Sequence, residues 1–196
     1  MAKTRVPHLP VQYPGTFCSR MFLTLTLLFF LGACAGPRQA PPGTPVWVKA
    51  GPGPAIAEGT RYFYGIGVVG KMKSRVLMRA AADNKAKSKL SRAVNDYVEA
   101  LMAAYVKSPQ AEGDAEARAQ VLQELRAVAG ATLPTAVISD HWQDPETGNY
   151  FALCRLAFSG LLRRIAGAQI LPASLQRFAE KEGPLLFDRQ SLKSAS

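Results

Sequence analysis

The chain has 196 residues, 48% of them hydrophobic, and a formal net charge of +10, which suits one domain with a leader. The first 33 residues hold three of the 24 basic residues and no acid, so 21 bases remain against 14 acids. The longest basic cluster, residues 85–92, lies between Asp83 and Asp96. Such mixed charge is typical of a solvated helix face and argues against a nucleic-acid partner, while a weak attraction to anionic lipid or cell-wall polymer stays open.

Residues 1–33 have the pattern of a secretory signal peptide. Arg20 precedes a short apolar run over residues 21–33 that ends in small side chains. This run is shorter than the roughly 20 residues that a membrane-spanning helix needs. Its last residues are Leu31, Gly32 and Ala33, and Cys34 follows directly. Small side chains let an extended backbone enter a protease, and the Cys34 thiol can accept a thioether-linked lipid.

The sequence from Leu31 to Cys34 resembles the lipobox of bacterial lipoproteins. The resemblance implies cleavage before Cys34 and diacylglyceryl and N-acyl chains, of the palmitate type, on that residue. Two or more acyl chains anchor a protein firmly where one is marginal. Ala35 stands where inner-membrane lipoproteins carry aspartate, so the resemblance implies an outer-membrane protein facing the periplasm. The alternative is an ordinary signal peptide with an incidental cysteine. Translation from Met21 would remove every positive charge of the leader, which favours Met1.

Residues 34–59 form the second predicted segment, a lipidated N-terminus followed by a tether. The segment is rich in proline and glycine, a composition that cannot bury a core and that forms a semi-extended spacer. Only residues 46–48 (VWV) interrupt it, and we expect them to dock on the domain as a short edge strand.

A strand over residues 61–69 and a long helix from Ser74 to about residue 106 come next. One side of the strand carries Gly65 and Gly67, and the helix stripe has small residues at Ala82 and Ala86. Glycine in a strand leaves room for another element to approach closely. We therefore expect the alanine end of the helix to pack directly over the two glycines.

A second helix is predicted from Asp114, its cap, to Gly130. It is followed by a hairpin of residues 135–143 and 150–158, whose turn includes Asp144, Pro145 and Gly148. Proline presets the turn and glycine supplies a positive φ. One or two closing helices follow, and residues 189–196 are expected to form a frayed tail.

Three sequence features contain residue types that are common in catalytic or cofactor-binding sites, but their context argues against such a role. Residues 65–70 match the G-x-G-x-x-G dinucleotide pattern, but its first two glycines lie inside the strand, so close helix packing explains them better. Ser139, Asp140 and His141 are consecutive on a strand, where neighbours alternate faces, so the three cannot form a catalytic relay. Cys154 is the only cysteine after Cys34 and reads as a core residue. We expect no catalytic residue, metal or cofactor.

Five segments together resemble the LPP-twenty family of outer-membrane lipoproteins, a group that includes a flagellar assembly lipoprotein. They are residues 45–48 (PVWV), 64–67 (YGIG), 79–86 (RAAADNKA), 142–148 (WQDPETG) and 150–156 (YFALCRL). The resemblance covers residues 45–182 and implies a small α/β sandwich in β-α-β-β-α order, with two helices on one face of an antiparallel sheet. With the helix predicted from Asp114 included, the expected fold is an α+β domain over residues 60–188, in which a long helix and a second helix pack on one face of a small antiparallel sheet, in β-α-α-β-β-α order. Cys154 and the pair Gly183 and Pro184 depart from the family pattern, and the pair predicts an interruption of the last helix.

The family has no enzymatic activity attached to it, so the resemblance implies location and architecture more than mechanism. The expected function is a non-catalytic, lipid-anchored interaction module of the cell envelope, with a flagellar or cell-wall protein as partner. A regulator of a cell-wall synthase is a second possibility. A nucleotide-binding or hydrolytic enzyme, resting on the glycine pattern or on His141, is a third.

Overall fold

The structure of the chain, a computed structural model, describes residues 43–194. The signal peptide and the lipobox residues Leu31, Gly32, Ala33 and Cys34 lie outside the described residues. The helices and strands are α1 Val46–Ala50, β1 Gly53–Ala57, β2 Thr60–Val69, α2 Arg75–Val106, α3 Ala115–Gly130, β3 Val137–Gln143, β4 Tyr150–Ala157, α4 Phe158–Ala166 and α5 Ala173–Ser194.

The four strands form one antiparallel sheet in the order β1-β2-β4-β3. From β2 onward the elements follow the predicted β-α-α-β-β-α order, so the α+β fold class is confirmed. The long helix α2 lies along β2 and β4, while α3 packs on α2 and α4. Helices α2 to α5 therefore lie on one side of the sheet.

Aromatic rings fill the core between the sheet and the helices. Phe63 on β2 meets Tyr97 on α2 edge-on, with ring centroids 5.4 Å apart. Phe158 and Phe187 complete the cluster, and their centroids are 4.7 Å apart. Rings at these separations add to the free energy that burial of their surface supplies. This cluster ties β2, α2, α4 and α5 into one unit.

Helices α2 and α3 begin at the capping residues that the sequence predicts. The Ser74 hydroxyl accepts a hydrogen bond from the backbone N–H of Leu77, and the Asp114 carboxylate accepts one from Ala117, at 2.9 Å. Each satisfies a backbone donor that the first turn of a helix leaves unpaired.

The N-terminal boundary of the domain requires correction. Residues 46–48 form the start of helix α1 instead of an edge strand, because β1 occupies the edge beside β2. This strand lies in the second half of the predicted tether of residues 34–59, so the domain begins before residue 60. Glu58 and Gly59, both with positive φ, form the two-residue turn that joins β1 to β2. Glutamate is unusual in such a turn, so the sequence pattern did not predict this hairpin.

The C-terminal boundary also requires correction, because α5 runs through Gly183 and Pro184 and includes most of the predicted tail of residues 189–196. The Tyr97 hydroxyl donates a hydrogen bond to the carbonyl of Gly183 at 3.1 Å, and a side chain at 183 would collide with it. Phe187 is fully buried one turn later. Tertiary contacts on both sides of the proline therefore outweigh its intrinsic cost in a helix, about 3 kcal/mol.

Replacing Asp188 with asparagine should weaken the attachment of this last helix. Arg61 on β2 binds the Asp188 carboxylate through two hydrogen bonds of 2.7 Å, which hold the pKa of Asp188 below its ordinary value. A group with a depressed folded-state pKa stabilises the fold at pH values above its unfolded-state pKa of about 4, and this stabilisation is lost as pH falls through the folded-state pKa. We expect a loss of about 0.5–1 kcal/mol at pH 7, measured by urea unfolding.

The control for this prediction is Glu180→Gln, at an exposed position of the same helix whose carboxylate has no ion pair among residues 43–194. It should leave the free energy of unfolding unchanged. The difference between Asp188→Asn and the unmodified chain should shrink under acid. A difference that stayed constant from pH 7 to strong acid would contradict the role of the ion pair.

Candidate functional site

The candidate site is the face of the sheet that points away from α2, called here the outer face. Alternation along the strands and the register of their pairs define it. Its members are mainly aromatic and aliphatic: Ala55 on β1, Tyr62, Tyr64, Ile66 and Val68 on β2, Val137, Asp140 and Trp142 on β3, and Phe151, Leu153 and Arg155 on β4.

Aromatic contacts organise the outer face on both sides of its centre. Tyr62 and Tyr64 stack with ring centroids 6.4 Å apart, and the Arg155 guanidinium lies 5.2 Å from the Tyr62 ring centre. On the other side, the Trp142 and Phe151 rings are 5.2 Å apart. Burial raises the pKa of the Tyr64 hydroxyl above its ordinary value. The face thus offers rigid, amphipathic rings of the kind enriched at protein interfaces.

Trp47 of α1 packs against the centre of this face, where Tyr64, Ile66 and Leu153 form a small buried cluster. Its indole N–H donates a hydrogen bond of 2.8 Å to the Asp140 carboxylate. The sequence predicts docking of residues 46–48 through strand pairing, but the contact is made by this side chain. The missed signal was a lone tryptophan in a proline- and glycine-rich segment, because so large a ring needs a surface to cover.

The margins of the outer face are open to solvent. Val68 is 39% exposed at one end of β2, and Val137 is 51% exposed on β3. The sheet edges are less suited to pairing with a partner strand, because β3 has a register shift between Ile138 and Asp140 and β1 contains Pro54. Bulges and prolines protect edges against such pairing. The face therefore offers a better contact surface than either edge.

The structure brings Gly65 and Gly67 together with Ala82 and Ala86 on the opposite face of the sheet. A Cβ atom at Gly67 would overlap the Ala82 carbonyl and lie 2.6 Å from the backbone nitrogen of Ala86. One at Gly65 would overlap the Ala86 carbonyl. The backbone of α2 thus occupies the space above these glycines that the pyrophosphate of a dinucleotide would need.

The side chains of Asp140 and His141 lie on opposite sides of the sheet. The His141 side chain faces α2, where its Nε2 is 2.6 Å from the Asp83 carboxylate, whereas Asp140 faces Trp47 on the other side of the sheet. This contact ties the end of the sheet to the long helix. Cys154 is fully buried on the α2 side of β4, and burial raises the pKa of its thiol. A raised pKa disfavours the reactive thiolate.

The turn of the β3–β4 hairpin is held by Asp144. Its carboxylate accepts hydrogen bonds from the Thr147 hydroxyl and from the backbone N–H of Glu146. The Thr147 hydroxyl is the main cause of a lowered Asp144 pKa. Gly148 has φ of 72°, the left-handed conformation that the sequence predicts there, and its N–H donates to the Asp144 carbonyl at 2.9 Å. Pro145 lies on the exposed outside of the turn.

No family model matches this sequence, and no curated protein matches it. Within residues 43–194, no helix combines the length and the apolar character needed to cross a membrane. The same residues contain no cluster of three side chains of the types that commonly bind metal ions.

Proposed function

We propose that this chain is a lipid-anchored, non-catalytic interaction module on the periplasmic side of the outer membrane, related to the LPP-twenty lipoproteins. Lipid on Cys34 holds the chain at the membrane, and the folded domain binds another envelope protein through its outer face. The Leu31–Cys34 sequence supports the anchor. The composition of the outer face supports the binding role.

One observation carries the binding role. Trp47 of α1 covers the centre of the aromatic outer face, and the margins of that face are exposed. Helix α1 has only five residues, its N-cap residue makes no side-chain capping bond, and none of its residues is buried. A helix this short has little stability of its own and depends on tertiary contacts. The segment therefore covers the outer face weakly enough for a partner to bind beside it or to displace it.

Site-specific photo-crosslinking in intact cells tests this proposal. A photoreactive amino acid is placed at Val68 or Val137, the exposed margins of the outer face, in the full chain. We expect the same discrete envelope protein to be crosslinked from both positions, because both border one surface. Identification by mass spectrometry then separates a flagellar partner from a cell-wall synthase.

Val76 and Leu185 serve as control positions, since both are exposed hydrophobic residues on helices away from the outer face. Crosslinks from these positions should be absent or should involve other proteins. The proposal fails if Val68 and Val137 yield no discrete product, or if all four positions capture the same proteins.

A further inference from the structure

A basic cleft lies on the exposed side of α2, apart from the outer face. It is bounded by Pro52, Gly53 and Pro54 at the start of β1, by the middle of α2, and by the last turns of α5. Its charged members are Lys89, Arg92, Asp96 and Lys193. The cleft has a volume of about 370 Å³, within the range of roughly 300–1,000 Å³ typical of small-molecule sites.

Among residues 43–194, no carboxylate forms an ion pair with the three cations of this cleft. Within residues 43–194, the arginines that form ion pairs are Arg61 and Arg126, whereas Lys89, Arg92 and Lys193 form none. Lys89 and Arg92 lie three residues apart and so share one side of α2, and Lys193 reaches the same cleft from α5. Three unpaired cations against one carboxylate make a local positive field that attracts anions.

The charged groups of the cleft indicate which class of ligand it can bind. A guanidinium and two ammonium groups are the usual partners of a phosphate. The Asp96 carboxylate is acceptor-only when ionised, so it repels a second anionic group and binds hydroxyl donors. We propose that the cleft binds a phosphate ester that also carries free hydroxyl groups, of the glycerol phosphate type.

Two sources can present this chemistry, a soluble glycerol phosphate and the headgroup of a phosphatidylglycerol-like lipid. The lipid source rests on the proposed anchoring at Cys34. Pro52, which borders the cleft, stands 18 positions after Cys34 in the sequence, so lipid on Cys34 would hold the cleft within reach of many headgroups. Clustered lysine and arginine side chains beside a membrane bind anionic lipids through the same phosphate chemistry.

Lysine footprinting by mass spectrometry tests the site in the full chain. The chain is reconstituted in vesicles of phosphatidylcholine, with or without phosphatidylglycerol, and acetylated briefly. Phosphatidylglycerol should reduce labelling of Lys89 and Lys193 by about threefold or more, because an occupied site shields their ammonium groups. Lys73 and Lys107, exposed at the two ends of α2, should be labelled equally in both vesicles.

Soluble ligands distinguish the sources. Glycerol 3-phosphate added to phosphatidylcholine vesicles should protect the same two lysines if the cleft takes the free ester, and inorganic phosphate should protect them less. Protection by phosphatidylglycerol alone assigns the lipid source. Equal protection by inorganic phosphate would overturn the role of the hydroxyl groups. Absence of protection by every ligand would overturn the site.

The variant Arg92→Glu tests the site by mutation. It reverses a charge inside the cleft and should therefore abolish the protection of Lys89 and Lys193 against acetylation. Arg79→Glu makes the same change at an exposed position of α2 outside the cleft and should preserve the protection. Protection that survives Arg92→Glu would also overturn the site. Anchoring is scored separately, as association of the chain with phosphatidylcholine vesicles, so a failed anchor is distinguishable from an empty cleft.

Discussion

Replacing Gly67 with valine should leave the domain unfolded. The added carbon atoms would enter the backbone of α2 at Ala82 and Ala86, where even a Cβ atom has no space. The helix cannot shift outward easily, because Leu90 and Leu101 anchor it in the core. Overpacking of a core usually costs about 1–3 kcal/mol, and a collision with a helix backbone belongs at or above the upper end of this range. Native domains typically have only about 5–15 kcal/mol of stability in total.

Circular dichroism and urea unfolding of Gly67→Ala and Gly67→Val measure this effect. The alanine variant should lose about 3 kcal/mol or more, and the valine variant should lose its cooperative transition. Gly70→Ala is the matched control, because the nearest atom to a Cβ at Gly70 is the Asn149 side-chain oxygen, 3.9 Å away. It should fold like the unmodified chain.

The same pair of variants separates the packing role of these glycines from a cofactor-binding role. A Gly67→Val chain that folded with unchanged stability and lost affinity for a nucleotide would contradict the packing role. It would also revive the dinucleotide interpretation of residues 65–70. The filled space above Gly65 and Gly67 leads us to expect the opposite result.

Replacing Cys34 with alanine should remove the chain from the outer membrane almost completely. The lipid chains proposed on this residue hold the protein through apolar burial worth about 0.8 kcal/mol per CH₂ group. Alanine has no thiol to form the thioether, so the variant carries no lipid. Incorporation of labelled palmitate and the distribution of the chain between outer-membrane and other fractions measure the effect.

Cys18→Ala provides the control for this experiment, since it removes a cysteine from the leader and leaves the lipobox intact. It should preserve both the palmitate label and the outer-membrane fraction. A Cys34→Ala chain that still incorporated palmitate, or still sedimented with the outer membrane, would refute the anchor. It would favour an ordinary signal peptide with an incidental cysteine.

The elements with strong local signals were predictable from the sequence. Ser74 and Asp114 cap their helices through contacts three residues away, and Gly148 alone supplies the φ that its turn requires. The close contact of Gly65 and Gly67 with α2 was also predictable, because missing side chains on a strand match small residues on a helix stripe. These features depend on short-range geometry or on simple complementarity of size.

Tertiary structure decided both boundaries of the domain and the position of the candidate site. β1 lies in a segment with the composition of a linker, and it is a strand because it pairs with β2. Helix α5 passes Pro184 because contacts of Tyr97 and Phe187 hold both sides of it. Trp47 meets Asp140 across 93 positions of the chain. The sequence alone determined the order of the main elements and their local caps and turns. Contacts between distant residues determined where the domain begins and ends. The free energy of these long-range contacts exceeds the local conformational propensities, and the contacts leave no pattern in the neighbouring sequence.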